Sequence, residues 1–293
     1  MPSSYGERVV LRLLDKESSQ INIDDLGLNQ VVLKNFKKSL NSSEGMILVT
    51  GPTGSGKTTS LYAGLRYIND NSLNILTVED PIEYTLEGIG QTQVNNKTGY
   101  DFARGLRSIL RQDPDVVMLG EIRDEETARI AIQSSLTGHL VMSTVHTNSA
   151  VGAITRLRDM GIESFLLASS LKTIISQRLV RRLCNECKSE TKVSQRAIEL
   201  LGLKKGQTVF SAKGCNHCDG TGYKGRIAIA ESIQISTDLK DMIHDEASEQ
   251  DIHKIAFKDI QTIDQIGSEL LTQGLTSPEE LIRINNQQED ASI

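Results

Sequence analysis

Residues 46 to 59 read MILVTGPTGSGKTT, an apolar, β-branched run that gives way to glycines and then to a helix-forming stretch. Gly51, Gly54 and Gly56 permit turns that place successive backbone N–H groups around one centre, and a side chain at any of them would fill the space an anion needs. A helix opening near Lys57 points its unpaired N–H groups and the positive end of its dipole at the same centre. Strand, loop and helix in this order are the context in which G-x-x-x-x-G-K-[ST] is a phosphate-binding loop rather than a glycine-rich turn. The pattern assigns cofactor contacts to Gly51, Pro52, Thr53, Gly54, Ser55, Gly56, Lys57, Thr58 and Thr59. Lys57 is expected to reach the β- and γ-phosphates of a nucleotide, and the Thr58 hydroxyl to ligate Mg²⁺.

Residues 57 to 69 read as the helix, and Asn74 to Val78 as a second strand ending in Glu79-Asp80-Pro81-Ile82-Glu83. Strand, loop, helix, strand is the unit of an open parallel sheet, whose ligands bind at the carboxyl ends of the strands. The three acids there are therefore expected to face Mg²⁺ and the γ-phosphate rather than form a solvated turn. DVVMLGE, residues 115 to 121, has the shape of a Walker B strand, with Gly120 where an aspartate is usual and Glu121 as the acid. A strand over residues 137 to 147 is bracketed by His139 and His146, either of which could sense a γ-phosphate. Arg104, Arg107 and Arg111 fall on one helical face, either as a solvated stripe or as cations supplied to a neighbouring copy.

The formal charge of −6 over 293 residues, the absence of Trp and an aromatic content of 4% argue against nucleic acid as a partner. No apolar run approaches the ~18 residues needed to span a bilayer, and residues 1 to 30 lack a secretory layout, so a cytosolic chain is expected. Cys184/Cys187 and Cys215/Cys218 form two Cys-x-x-Cys pairs, which suggest a closed structural zinc site, with a redox dithiol as the rival. His217 lies inside the second pair as a possible substitute ligand.

Elsewhere, residues 5 to 14 read as a strand, 15 to 30 as a linker and 30 to 40 as an amphipathic helix. A strand at the start with nothing before it to pair with favours a chain continuing upstream of Met1. Residues 124 to 136 read as a helix, and residues 152 to 177 as two amphipathic helices. Arg226 to Ile235 reads as a strand, followed by helices at 237 to 245, 248 to 257, 263 to 273 and 278 to 285, and residues 286 to 293 carry too little apolar content to be expected to order.

GPTGSGKTT, ILTVEDPIE, RQDPDVVMLGEIRD and TGHLVMSTVHTN, in this order and spacing, resemble the Walker A, Asp, Walker B and His boxes of the secretion and type IV pilus assembly ATPases. SSYGERVVLRLLD, AVGAITRLRDMGIESFLLASSL and QRLVRRLC look closest to the type II secretion ATPases within that superfamily. The resemblance implies an α/β fold: a RecA-like P-loop NTPase core over residues 29 to 182, a tetracysteine zinc insert over 183 to 225 and a C-terminal strand and helical region over 226 to 293. Residues 1 to 28 would be the remnant of a PAS-like N-terminal domain with its linker. It implies Glu83 as the base that orients the attacking water, Glu121 as the Walker B acid, and His146 facing the γ-phosphate. Arg12, Arg104 and Arg107 fall where the family places arginines near the nucleotide, partly across subunit boundaries. It further implies ATP, Mg²⁺ and Zn²⁺ as cofactors, a homo-oligomeric ring (a hexamer), and inner-membrane platform proteins of the same machinery as partners. Such a motor works in the cytoplasm, peripheral to the bacterial inner membrane and held there only through partners.

The nearest alternative is a type IV pilus extension ATPase, which shares all four boxes. The tetracysteine insert argues against a retraction motor of that superfamily. A RecA-type nucleic-acid translocase would need a basic or aromatic strand-binding surface, and a nucleotide-gated scaffold would bind ATP without turning it over.

Overall fold

An unbroken apolar strand must be covered on both faces, and Gly45 to Thr50 is buried at every position. The computed structural model describes residues 2–3, 6–7, 21–70 and 72–289. The elements begin with β1 (Pro2–Ser3), β2 (Gly6–Glu7), α1 (Gln30–Leu40), β3 (Gly45–Thr50), α2 (Lys57–Ile68), β4 (Ile75–Glu79) and β5 (Gly90–Gln93). There follow α3 (Phe102–Ile109), β6 (Val116–Leu119), α4 (Glu125–Ser135), β7 (Leu140–Val145), α5 (Ala150–Asp159), α6 (Ser164–Ser170) and β8 (Leu171–Leu183). The chain continues with β9 (Ser189–Lys192), α7 (Gln195–Leu201), β10 (Thr208–Ser211) and β11 (Tyr223–Gln234). It closes with α8 (Thr237–His244), α9 (Glu249–Ala256), α10 (Ile263–Thr272) and α11 (Pro278–Glu289).

The central sheet has seven strands in the order β11-β8-β3-β7-β6-β4-β5. All neighbours are parallel except β11, which runs antiparallel to β8 at one edge. Alternation along β3 divides the core. Met46 and Leu48 join the apolar cluster that includes residues of α3, α4 and α5, whereas Ile47 and Val49 join the one that includes Phe36, Leu61 and Tyr62. Each fully buried Leu, Ile or Phe contributes about 1.5–3 kcal/mol, so this sandwiched strand is firmly held. Helix starts are set by side-chain caps: Asn29 accepts from Val32 N–H, Asp101 from Arg104 N–H, Asp124 from Thr127 N–H and Ser149 from Gly152 N–H.

Two readings are corrected. Helix was expected up to Gln177, but α6 ends at Ser170 and β8 begins at Leu171. β-Branched Thr173, Ile174 and Ile175 fit a strand, and β8 pairs with β3 on one side and β11 on the other, a non-local gain that the helical pattern of the sequence hides. Helix α11 also runs on through Glu289, beyond the end expected at residue 285. The strand expected over residues 5 to 14 falls largely outside the described residues, as does Arg12.

The C-terminal helix is locked to the sheet by Glu280, whose side chain is 1% exposed. Its carboxylate accepts from Arg181 N–H and Nε at 3.0 and 2.8 Å and from Arg283 Nε and Nη2 at 3.1 Å. Burial alone would raise its pKa, but the hydrogen bonds and charges of these arginines pull it from 4.5 down to about 2. A carboxyl whose folded pKa is depressed contributes stability above its unfolded pKa and loses it as pH falls. Glu280→Gln is therefore expected to unfold at lower temperature than wild type at neutral pH. Its stability should also fall less steeply between about pH 5 and pH 3, as read by denaturant titrations at each pH.

Candidate active site

Four parallel strands deliver their carboxyl ends to one cavity of about 1070 Å³. From β3 come Thr53 through Thr59, from β4 Glu79, Asp80 and Glu83, from β6 Gly120, Glu121 and Arg123, and from β7 Thr144 and His146. Cross-strand hydrogen bonds fix these ends relative to one another. Thr50 Oγ1 donates to Thr147 O (2.9 Å), Ser143 Oγ to Leu119 O (2.9 Å) and Thr144 Oγ1 to Gly120 O (2.8 Å).

The phosphate loop is formed as the motif requires. Gly54 and Gly56 adopt φ of 79° and 89°, and at Gly54 the space beyond the backbone is open. Gly51 and Pro52 lie behind the loop, where their carbonyls accept from Lys57 Nζ at 2.8 and 3.1 Å. Ser55 is 3% exposed and its Oγ has no hydrogen-bond partner in the structure, a buried donor left for a group that would enter the loop. Burial lowers the Lys57 pKa to about 8, against the opposing pull of Glu121. An anion in the loop would restore the full charge, so the donor set fits a phosphate.

Glu121, Lys57, His146 and Arg123 form one electrostatic cluster. Burial pushes the Glu121 carboxyl up, but its bond to Arg123, with the charges of Arg123, His146 and Lys57, holds it below its ordinary value. His146 Nε2 lies 3.4 Å from Glu121 Oε2. Burial and the Lys57 charge hold His146 below 6.5, while Glu121 acts in the opposite direction. The geometry also separates the two histidines. His139 precedes β7 at the opposite end of the strand, where Nδ1 meets Ser134 O at 3.0 Å, and it is absent from the cavity wall.

Of the three acids at the end of β4, Glu79 is 3% exposed and its carboxylate is hydrogen-bonded within a buried network at the cavity's edge. Tyr62 donates to it, Thr77 Oγ1 donates at 2.5 Å and Gln91 Nε2 at 3.1 Å. Tyr62 Oη also accepts from the Glu83 N–H at 3.4 Å, tying the loop's helix to the segment that carries Glu83. Arg104 and Arg107 do not line this cavity: Arg104 donates to Gly99 O at 3.3 Å and Arg107 is paired with Glu126. Tyr84, Arg123, Leu179 and Arg226 do line it, none of them singled out by the sequence. The signal for Arg226 was its place at the start of a strand leaving the second cysteine pair; the signal for Arg123 was its spacing from Glu121.

Beyond β8, the Sγ atoms of Cys184, Cys187, Cys215 and Cys218 lie within 4.8 Å of one another. Pairs at 3.9, 3.8 and 3.7 Å match the ~3.8 Å edge of a tetrahedron with ~2.3 Å metal–sulfur bonds. Four converging thiols thus fit a closed metal site. His217 is turned away, with Nε2 3.0 Å from Lys224 Nζ.

The family described as Type II/IV secretion system protein matches residues 1–283. The chain belongs to this family. Type II secretion system ATPase E of Vibrio cholerae serotype O1 is 53% identical over 289 residues, which is 98% of this chain and 58% of that protein. Type II secretion system protein E of Pseudomonas aeruginosa is 52% identical over 290 residues, again 98% and 58%. The chain therefore spans less than two thirds of the length of these relatives. The crystal structure of the pilus retraction motor PilT with bound ADP superposes with a TM-score of 0.70 at 30% identity, over 93% of this chain and 68% of that one. The ATPase DotB of Legionella pneumophila, at 22% identity, shares the fold with a TM-score of 0.66, over 91% of this chain and 66% of that one. No helix among the described residues is long and apolar enough to cross a membrane.

The charge cluster yields a direct expectation. In a proton-NMR titration His146 should titrate below 6.5, Glu121→Gln should lower its midpoint further, and Lys57→Met should raise it. Midpoints that fail to move in these opposite directions would show that the cluster does not exist in solution.

Proposed function

We propose that this chain is the ATP-hydrolysing part of a type II secretion motor. What supports this is the convergence of Lys57, Glu83, Glu121 and His146 on a single cavity at the carboxyl edge of the sheet. In this reading Gly51 through Thr59 form the nucleotide cradle, with Lys57 leaving its carbonyl partners to reach the β- and γ-phosphates. Thr58 would hold Mg²⁺, with Glu121 on its outer side; when bound, the ion supplies positive charge against the phosphate oxygens. Glu83 accepts a proton from the attacking water and aligns it, and His146 reports on the γ-phosphate position. Arg104, Arg107 and Arg12 supply charge across subunit boundaries in a homo-oligomeric ring, which we take to be a hexamer.

The work done per turnover would be the assembly of a pseudopilus that exports proteins. The motor would sit at the cytoplasmic face of the bacterial inner membrane, held by platform proteins of that machinery. Zinc at Cys184, Cys187, Cys215 and Cys218 would fold the insert and take no part in chemistry.

Two measurements test this reading. Glu83→Gln should bind Mg·ATP with near wild-type affinity while turnover falls by roughly 10²–10⁴-fold, whereas Lys57→Ala should lose the binding itself. A Glu83→Gln variant with undiminished turnover would remove Glu83 from the chemistry. For the metal, the purified chain should release one equivalent of zinc on thiol modification. Cys187→Ser should lose that zinc and make residues 184 to 222 protease-sensitive, leaving nucleotide binding by the core intact.

A further inference from the structure

Gln177 stands in β8 between two other buried polar residues, Ser176 and Arg178, and is itself only 2% exposed. Burying an amide without partners is costly, so its partners indicate what it holds. Its Nε2 donates to the carbonyl of Ser55 at 2.9 Å, and its Oε1 accepts from Ser60 Oγ at 2.7 Å. The first partner lies in the phosphate loop and the second in the opening turn of α2. One side chain therefore joins the loop to the helix whose N-terminus completes the anion site.

The glycines of the loop are fitted to the same residue. A Cβ on Gly56 would lie 2.8 Å from Gln177 Nε2, and one on Gly51 would lie 2.3 Å from the Gln177 carbonyl oxygen. Both ends of the loop thus close on Gln177. Strand register explains the position: Thr50, the last residue of β3, pairs with Ser176, so Gln177 is the next residue of β8 past the point where the loop leaves the sheet.

We propose that Gln177 is a positioning residue for nucleotide binding, setting the direction in which the phosphate loop presents its backbone donors. The peptide between Ser55 and Gly56 is planar, with its C=O and N–H on opposite sides. Fixing the Ser55 carbonyl on Gln177 therefore aims the Gly56 N–H away from Gln177. This role needs a donor and an acceptor together in one buried side chain of this length. An ionised carboxylate lacks the donor and repels the Ser55 carbonyl, whereas a protonated one reproduces the amide's pattern. The inference rests on the loop being a nucleotide site.

The test uses the full 293-residue chain, a fluorescent ATP analogue with Mg²⁺, and circular dichroism to verify folding. Gln177→Leu is expected to keep its fold and to bind the analogue about tenfold or more weakly, because the Ser55 carbonyl and Ser60 hydroxyl lose their buried partner and the loop leaves its binding geometry. Gln177→Glu is the second variant. Burial raises a carboxyl pKa, so its affinity relative to wild type should be low near pH 9 and recover toward pH 6, as the carboxyl takes up the proton that replaces the amide donor. A purely structural role would lower thermal stability without this pH-dependent recovery. If wild type binds the analogue and Gln177→Leu binds equally well, or the Gln177→Glu to wild-type affinity ratio does not change with pH, the inference is overturned and the site reading stands. If wild type itself does not bind, the site reading falls and takes the inference with it.

Discussion

A loop of backbone amides can hold a polyanion only if the amides are already aimed when the anion arrives, since ordering them afterwards would consume binding energy. Here that aim is supplied by the sheet. β3 is buried at every position between β7 and β8, so the point at which the loop leaves it is fixed. Gln177 on one neighbour meets the loop, while Thr147, just beyond the other neighbour, is tied to Thr50 at the end of β3. The cavity's remaining groups inherit this frame, because Glu121 and His146 follow the next parallel strands, and Ser143 and Thr144 of β7 donate to the Leu119 and Gly120 carbonyls just before Glu121.

The electrostatics depend on the same frame. Lys57 is buried to 8% exposure and shares its field with Glu121, His146 and Arg123. The lysine spends its hydrogen bonds on two loop carbonyls and its charge is disfavoured by burial. Such a group gains most from a second negative partner, so in the proposed function phosphate binding would be coupled to the protonation of its neighbours. Tyr62 extends the coupling in another direction, since the helix that starts at Lys57 carries the hydroxyl that holds both Glu79 and the Glu83 backbone.

What was legible in the sequence followed from local rules. The strand and helix on either side of the Gly51–Thr58 motif, the strand before Glu121, the helix starts and the convergence of the cysteine pairs follow from patterns over a few residues, and these elements form where those patterns lie. The choice between His139 and His146 was not legible, because strand polarity relative to the sheet decides it and only topology supplies that. The first half of β8, residues 171 to 177, was read as the end of a helix; pairing with two strands outweighed that local pattern. Gln177 and Tyr62 were missed because their partners lie far along the chain, as with the bonds from Gln177 to Ser55 and Ser60 and from Tyr62 to Glu79. A polar Ser-Gln-Arg run between the apolar residues Ile174-Ile175 and Leu179-Val180 was the available signal, since buried polar groups need partners.

Arg107 is paired with Glu126 and neither it nor Arg104 reaches the cavity, although Arg123 and Arg226 do. In the proposed function Arg104 and Arg107 act on a neighbouring copy's nucleotide instead. The most direct test is ATP hydrolysis per chain across a wide range of protein concentration, with Lys57→Ala as the blank. The account predicts that specific activity rises with concentration as neighbouring copies complete the site. Hydrolysis above the blank that stays constant down to concentrations at which the chain is monomeric would contradict it.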